Sequence, residues 1–437
     1  MNYAFTKTKM RVSFTEMLYL IFFISLICAF RAITSMCIGT MILAGIIIHN
    51  PSLKSIFNTK AANLFAIGCI LFFFLQALSL LYTNNLHEGL HDAQLKSGLI
   101  FTPLALLILH TSNNEETGKL YFSYCLALFF ASVYLLCIAF TQYLHHKTVS
   151  VFFYHALVSP FRFHAVYYSI LVFMALLFLI ENVTSKNYLL SKLFHLLLLA
   201  FFSFFLFLLA SKLVIAFYII YCFFTLIKQS RLFKQSRLFI CSSTVLLVFS
   251  TAFILLTKNP IGARFRDFSN GNISLINQDK FSPAVYFNGL QFRLLEWKLV
   301  PQILNETHGW WTGVSTGDAQ SLLNQKYISL NMYRGEPGKP SDGYLGYNTH
   351  NQLLQSLLQN GIPGVISFLF ICFALIMMAR QAKKRILSFT VILLICYLFV
   401  ESLFEEQYGI VIFAFWPLFI NQYCKKNFIS PKIKEAF

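Results

Sequence analysis

The sequence predicts an all-α fold: a polytopic membrane protein of about twelve transmembrane helices, with one large, partly helical outer loop between helices 9 and 10. Three observations carry this. The 437 residues are 57% hydrophobic and 12% charged, whereas soluble domains carry about 25% charged residues. The apolar residues are gathered into runs of spanning length or nearly so. Lysine and arginine concentrate in alternate loops, as the positive-inside rule requires.

The runs follow in order. The first, about 12–30, has no small-residue cleavage pattern after it, and 32–49 follows at once. It therefore reads as a retained helix and not a removed signal peptide. Next come 62–82 and 98–110. The latter is the weakest, so it either begins earlier or is re-entrant. Runs at 120–141 and 165–181 are clear. The stretch 192–227 is too long for one crossing. It divides into 192–210 and 213–227 with a tight turn at Lys212. A ninth run covers 238–257, and three more cover 363–379, 388–401 and 408–423. The chain thus divides into an N-terminal bundle of about nine helices (1–257), a large loop (258–362), and C-terminal helices with a tail (363–437).

Loop charge orients the bundle. With Lys7, Lys9 and Arg11 inside, the even-numbered loops carry Lys54, Lys60, Lys119, Lys186, Lys192, Lys228, Arg231, Lys234, Arg237, Arg380, Lys383, Lys384 and Arg385. The tail adds Lys425, Lys426, Lys432 and Lys434. Short outer loops hold only Arg31, Lys96, Lys147, Arg162 and Lys212, and the last outer turn is acidic, with Glu401, Glu405 and Glu406. Both termini are therefore expected in the cytoplasm. The net charge of +17 is explained by topology, so no nucleic-acid partner is inferred. The ten cysteines lie in or beside apolar runs without a CxxC pair, which suggests neither a zinc site nor a disulfide framework. Ionisable residues are nearly absent from the spans, which argues against an ion-coupled transporter.

Chemistry is then expected at the outer boundary and in the long loop. Loops of this length without function are uncommon. "GARFRDF" supplies Arg264 and Arg266, and "QFRLLEWK" supplies Arg293 and Lys298. Arginine binds phosphate oxygens through a planar fork. Each of these charges reads equally as a headgroup contact. Arg293 differs in sitting beside Phe292, Leu295 and Leu299, which fall at helical spacing. The loop acids, Asp318 among them, are scattered, with no DxD or histidine cluster. A metal-independent, cofactor-free reaction is expected, because divalent-metal sites for sugar–phosphate donors use paired carboxylates.

"YNTHNQLLQSLLQNGIPG" (347–364) closes the loop. Leu353, Leu354, Leu357 and Leu358 form one apolar face, so 351–360 reads as a short helix, stopped at Gly361 and turned by Pro363-Gly364 into the next span. Asn348 and Thr349 are the candidate caps, which leaves His350 in the first helical turn. The helix dipole disfavours imidazolium there, and a neutral imidazole accepts an alcohol proton near neutral pH. From these neighbours alone His350 reads either as an interfacial capping histidine or as a base.

"FRLLEW", "GWWTGVSTGD", a tyrosine-containing stretch and "HNQLLQSLLQNGIPG" stand in that order between Arg293 and Gly364. This ordered set, with the topology, resembles the bacterial O-antigen ligase and O-antigen polymerase superfamily. The resemblance implies a C-type membrane glycosyltransferase of the inner membrane with a periplasmic active site. Its donor would be a glycan on undecaprenyl pyrophosphate, and its acceptor lipid A–core or a growing glycan. It implies that His350 activates the acceptor hydroxyl and that Arg293 contacts the pyrophosphate. Lys212 in "LLASKLVIAF" stands where the family has arginine, keeping the charge but losing the bidentate fork. "FRFHAVYYS", with Arg162 and His164, also resembles a family segment, and Asn351 and Asp318 are further supporting candidates. A polymerase using the same donor is the neighbouring alternative. A glycosylase of proteins is related, and a lipid-linked sugar flippase or transporter is the alternative of another class.

Overall fold

A computed structural model describes residues 2–49, 60–109, 114–185, 189–228, 245, 273–336 and 342–424. The expected span at 238–257 (Val245 apart) and the loop arginines Arg264 and Arg266 lie outside the described residues. Among the described residues every regular element is helical. The membrane part comprises α1 (Asn2–Ile27), α2 (Arg31–His49), α3 (Lys60–Ser79), α4 (Leu86–Lys96), α5 (Gly98–Ile108), α6 (Asn114–His146), the short α7 (Tyr154–Val158), α8 (Ala165–Ser185), α9 (Lys192–Leu208) and α10 (Lys212–Lys228). After α11 (Gly289–Glu306) and α12 (Ala319–Ser329) come α13 (Gln352–Ala382), α14 (Arg385–Leu398) and α15 (Gln407–Cys424).

Five of these helices, α2, α3, α6, α8 and α13, contain stretches long and apolar enough to cross a membrane, and α1, α9, α10 and α14 hold shorter apolar stretches. The protein is a polytopic membrane protein. α8 and α15 form its centre: nearly every side chain of α8 is buried, as is the whole run Tyr408–Ile420. Trp416 packs there against Tyr121, Tyr124 and Phe415.

The tight turn expected at Lys212 is present. Leu209–Ser211 joins α9 to α10, with Ala210 left-handed at φ 49°. Ser211 Oγ lies 2.8 Å from Tyr397 Oη and so ties this turn to the end of α14. The weak run at 98–110 is preceded directly by helix, in keeping with the expectation that it begins earlier. It is the short α5, separated by Ser97 alone from α4, an amphipathic helix capped by the Asn85 side chain. The apolar-run reading missed α4 because its charged residues interrupt the run.

The polar interval carries its own core. Phe292, Leu295 and Leu299, expected on one face, are buried in α11 beside Tyr327, Leu323 and Met332. A capping box, Asn288 with Gln291, starts α11. Leu358 joins this core and Leu354 and Leu357 pack against it, while Leu353 packs against the membrane core. The opposite face of α13 is buried too: Gln352, Gln355, Ser356, Gln359 and Asn360 are each at most 4% exposed. The helix therefore buries both faces.

The expected stop at Gly361 is present: the helix that begins at Gln352 ends there at a kink, and a second helix runs on to Ala382. Gly361 adopts φ 61°, ψ −152° between the two halves of α13, a region of the backbone map that is essentially glycine-only. The "GWWTG" segment closes the kink. Ile362 N–H donates to Trp310 O (3.0 Å), and Val314 and Ser315 N–H donate to Leu358 O and Gln359 O (2.8 and 3.1 Å). These carbonyls end the first half of the helix and would otherwise lack partners. A Cβ on Gly361 would stand 2.5 Å from the Trp311 carbonyl carbon. Gly361→Ala should therefore cost at least about 1–3 kcal/mol through backbone strain. A thermal melt of the detergent-solubilised chain reads this, and an unshifted melting temperature would contradict the lock.

Candidate active site

Four separate segments converge on one cavity of about 520 Å³, within the usual range for small-ligand sites. Arg31 comes from the start of α2. His155, Arg162, Phe163 and His164 come from the bent stretch before α8. Gly346, Tyr347, Asn348 and His350 precede α13, and Glu401, Ser402 and Glu406 come from the turn between α14 and α15.

His350 is held by its neighbours. The N-cap of α13 is Asn351, whose Oδ1 accepts from Leu353 and Leu354 N–H at 3.0 and 3.2 Å. This corrects the expected capping by Asn348 or Thr349, and His350 stands one residue before the cap and not in the first turn. Asn351 wins because its amide also donates to Phe399 O (3.2 Å) and its N–H donates to Ser402 Oγ (3.1 Å). His350 is left-handed at φ 44°, a conformation kept only where the surroundings over-determine it. Those surroundings are the Asn348 side chain, which accepts from His350 N–H at 3.0 Å, and Trp297 Nε1, which donates to Thr349 O at 3.2 Å. Tyr347 O accepts from Tyr327 Oη and from Gln320 Nε2, each at 3.0 Å.

Glu401 joins two of the expected site residues. Its Oε2 lies 3.0 Å from His350 Nδ1 and its Oε1 lies 2.6 Å from Arg293 Nη2. Arg293 also donates through Nε to Val400 O and through Nη1 to Gly289 O, both at 3.0 Å. It thus grips the turn that carries Glu401, and it is absent from the cavity lining. Burial alone would push the Glu401 carboxyl up. The hydrogen bond from His350, with the positive field of His350, Arg293 and His164, outweighs burial and leaves its pKa below the ordinary value. The carboxylate only accepts, so Nδ1 of His350 carries hydrogen and Nε2 of the neutral ring presents a lone pair.

The other acids of this turn meet cations from two further helices. Glu406 Oε2 lies 3.4 Å from Arg31 Nη2. Glu405 Oε2 lies 3.1 Å from Lys96 Nζ, which is wholly buried and also reaches Asp92, Thr316 and Gln359 within 3.4 Å. Burial disfavours the Lys96 ammonium, but Glu405 and Asp92 outweigh it and raise its pKa.

Of the residues singled out in the sequence, Arg162, His164 and His350 line the cavity, and Arg293 and Asn351 stand behind it. Asp318 does other work. Its carboxylate accepts from Asn84 N–H (2.8 Å), Asn85 N–H (3.1 Å) and Ser315 Oγ (2.9 Å), clamping the α3–α4 turn to the loop. Lys212 is exposed at the start of α10 and does not line this cavity. Glu401, Arg31 and His155 were missed. The available signal for Glu401 was "ESLFEEQ", three acids crowded into a turn between two apolar runs.

Two outcomes follow. Lys96→Met leaves Glu405 and Asp92 without their cation and should destabilise the protein by about 3–5 kcal/mol, measured by thermal denaturation; an unchanged melt would remove Lys96 as a brace. Because its folded pKa is depressed, Glu401 contributes stability that is present in full above about pH 4.3 and lost as pH falls through the folded value. Glu401→Gln should flatten that acid limb of the stability curve, and an identical limb would contradict the pairing.

No curated protein matches the chain. Residues 196–369 match the family model described as O-antigen ligase. The matched span includes Lys212, Arg293 and His350, whereas Arg31, His155, Arg162, His164 and Glu401 lie outside it and are joined to it by the fold. The chain carries an O-antigen ligase family domain, from within α9 to within α13.

Proposed function

We propose that the protein is an O-antigen ligase-type glycosyltransferase. It moves a glycan from undecaprenyl pyrophosphate to a lipid A–core acceptor, without metal. The observation that carries this reading is the Arg293–Glu401–His350 chain ending at a cavity that also holds Arg31 and Arg162. A carboxylate-held imidazole beside fixed cations suits hydroxyl attack with an anionic leaving group.

The acceptor hydroxyl gives its proton to His350 Nε2 as its oxygen bonds to the donor's anomeric carbon. The bond from that carbon to the phosphate oxygen breaks, and undecaprenyl pyrophosphate leaves with the electron pair. This single displacement inverts the anomeric centre. Glu401 holds the ring and stabilises the imidazolium that forms. Arg162 and Arg31 receive the diphosphate; the family resemblance adds Lys212, which stands apart from this cavity. The family resemblance puts Arg293 on the pyrophosphate; its three bonds to the protein favour a role through Glu401 instead.

Loop charge supports a periplasmic site. Every cavity segment belongs to an interval that the charge pattern assigns to the outer face of about twelve spans, with both termini cytoplasmic. On this reading the lipid tail enters from the bilayer.

With purified protein, undecaprenyl-pyrophosphate-linked glycan and core oligosaccharide, His350→Gln should lower turnover by about 10²-fold or more while the chain stays folded. Wild-type turnover would remove the base. EDTA should leave the rate unchanged; loss restored by Mg²⁺ would contradict a metal-free reaction. Transfer to a second glycan repeat in place of core would identify a polymerase.

A further inference from the structure

Two histidines apart from His350 meet at the cavity wall. The rings of His155 and His164 lie 4.3 Å apart at 70°, and both line the cavity with Arg31 and Arg162. They come from the stretch between α6 and α8, where Tyr154 and Arg162 are left-handed at φ 54° and 50°. The same target aims both rings. Ala165 N–H donates to His155 Nδ1 (3.5 Å), and Val166 N–H donates to His164 Nδ1 (3.3 Å). These are the first amides of α8, which lack acceptors within the helix. Two imidazoles fill the place that serine or aspartate usually takes.

This capping fixes what the rings present elsewhere. A nitrogen that accepts carries no hydrogen, so the hydrogen of each neutral ring sits on Nε2. His350 has the reverse arrangement, since its Nδ1 donates to Glu401 and its Nε2 accepts. One cavity therefore combines a base nitrogen with a pair of neutral N–H donors flanked by two guanidinium groups.

We propose that His155 and His164 are contacts for the diphosphate of the lipid donor: their Nε2–H groups donate to its oxygens beside Arg31 and Arg162 as the glycan departs. The rings transfer no proton; they act as fixed donors toward developing negative charge. This assignment rests on the glycosyltransferase reading above.

Capping and ligand binding are separable in one variant. Asparagine is a good N-cap but lacks the ring donor, so His164→Asn keeps the helix start. Calorimetric binding of farnesyl diphosphate to the detergent-solubilised full chain is the readout. Loss of a hydrogen bond to a charged group should weaken binding roughly tenfold or more, at an unchanged melting temperature, and His155→Asn/His164→Asn should weaken it further. Unchanged affinity in both variants, with a wild type that binds, would overturn the pair and leave the transferase reading standing. Dependence on the pair for glucuronate but not for farnesyl diphosphate would assign it to a sugar carboxylate and also overturn it. A wild type that binds no diphosphate would sink both readings. Should either variant lose stability, ¹⁵N-histidine spectra of the wild-type chain decide. Farnesyl diphosphate must move the Nε2 resonances of His155 and His164, and unmoved resonances overturn the assignment.

Discussion

The Glu401 carboxylate is the joint on which the site depends. One oxygen takes the Arg293 guanidinium and the other takes the His350 ring. Arg293 belongs to the loop core, His350 precedes α13, and Glu401 sits in the turn between α14 and α15. A single residue thus fastens the polar cap to the membrane bundle beside His350, the proposed base. The ionised form of Glu401 is favoured because the hydrogen bond from His350 and the positive field of Arg293, joined by that of His350 and His164 when they are protonated, outweigh its burial. The turn around it is pinned by two more pairs, Glu405 with Lys96 and Glu406 with Arg31. The Glu405–Lys96 pair is buried, so breaking it leaves a charge buried alone; the exposed Arg31–Glu406 pair constrains the turn less.

The kinked α13 extends the same logic. Its first turns are polar on a face that is buried, which is costly unless the groups find partners. Gln352 Oε1 accepts from Phe404 N–H (2.8 Å), and Gln359 links Lys96 and Glu405. The helix that starts just after the base therefore also holds the acidic turn. Gly361 lets the chain change direction without losing its carbonyls, because Val314 and Ser315, just after "GWWTG", supply donors for them. The placement of His350 and the membrane packing share these residues, so the ring cannot shift without disturbing the helix start.

Much of the fold was legible because lipid leaves a strong mark on sequence. Apolar runs located most of the described membrane helices, and the charge interruption at Lys212 marked a real turn. Helical spacing at Phe292, Leu295 and Leu299 located α11. Short-range signals failed where several residues compete. In "NTHN" three residues are able to cap, and only contacts with Phe399 and Ser402 select Asn351. The same contacts place His350 outside the helix. α4 was invisible because an amphipathic helix of eleven residues has no apolar run. Glu401 was legible only as a topological charge; its partner His350 lies 51 residues away, and no local pattern encodes that pairing. His155 gave no signal because its work is to cap a helix that starts ten residues on.

A double-substitution cycle on His350 and Glu401 tests the central claim most directly. Transfer from undecaprenyl-pyrophosphate-linked glycan would be measured for His350→Gln, Glu401→Gln and the pair together. Residues that act as one catalytic unit are strongly non-additive. The double variant is expected to be no slower than His350→Gln alone. Losses that simply multiply would show that Glu401 and His350 act independently and would contradict the central claim.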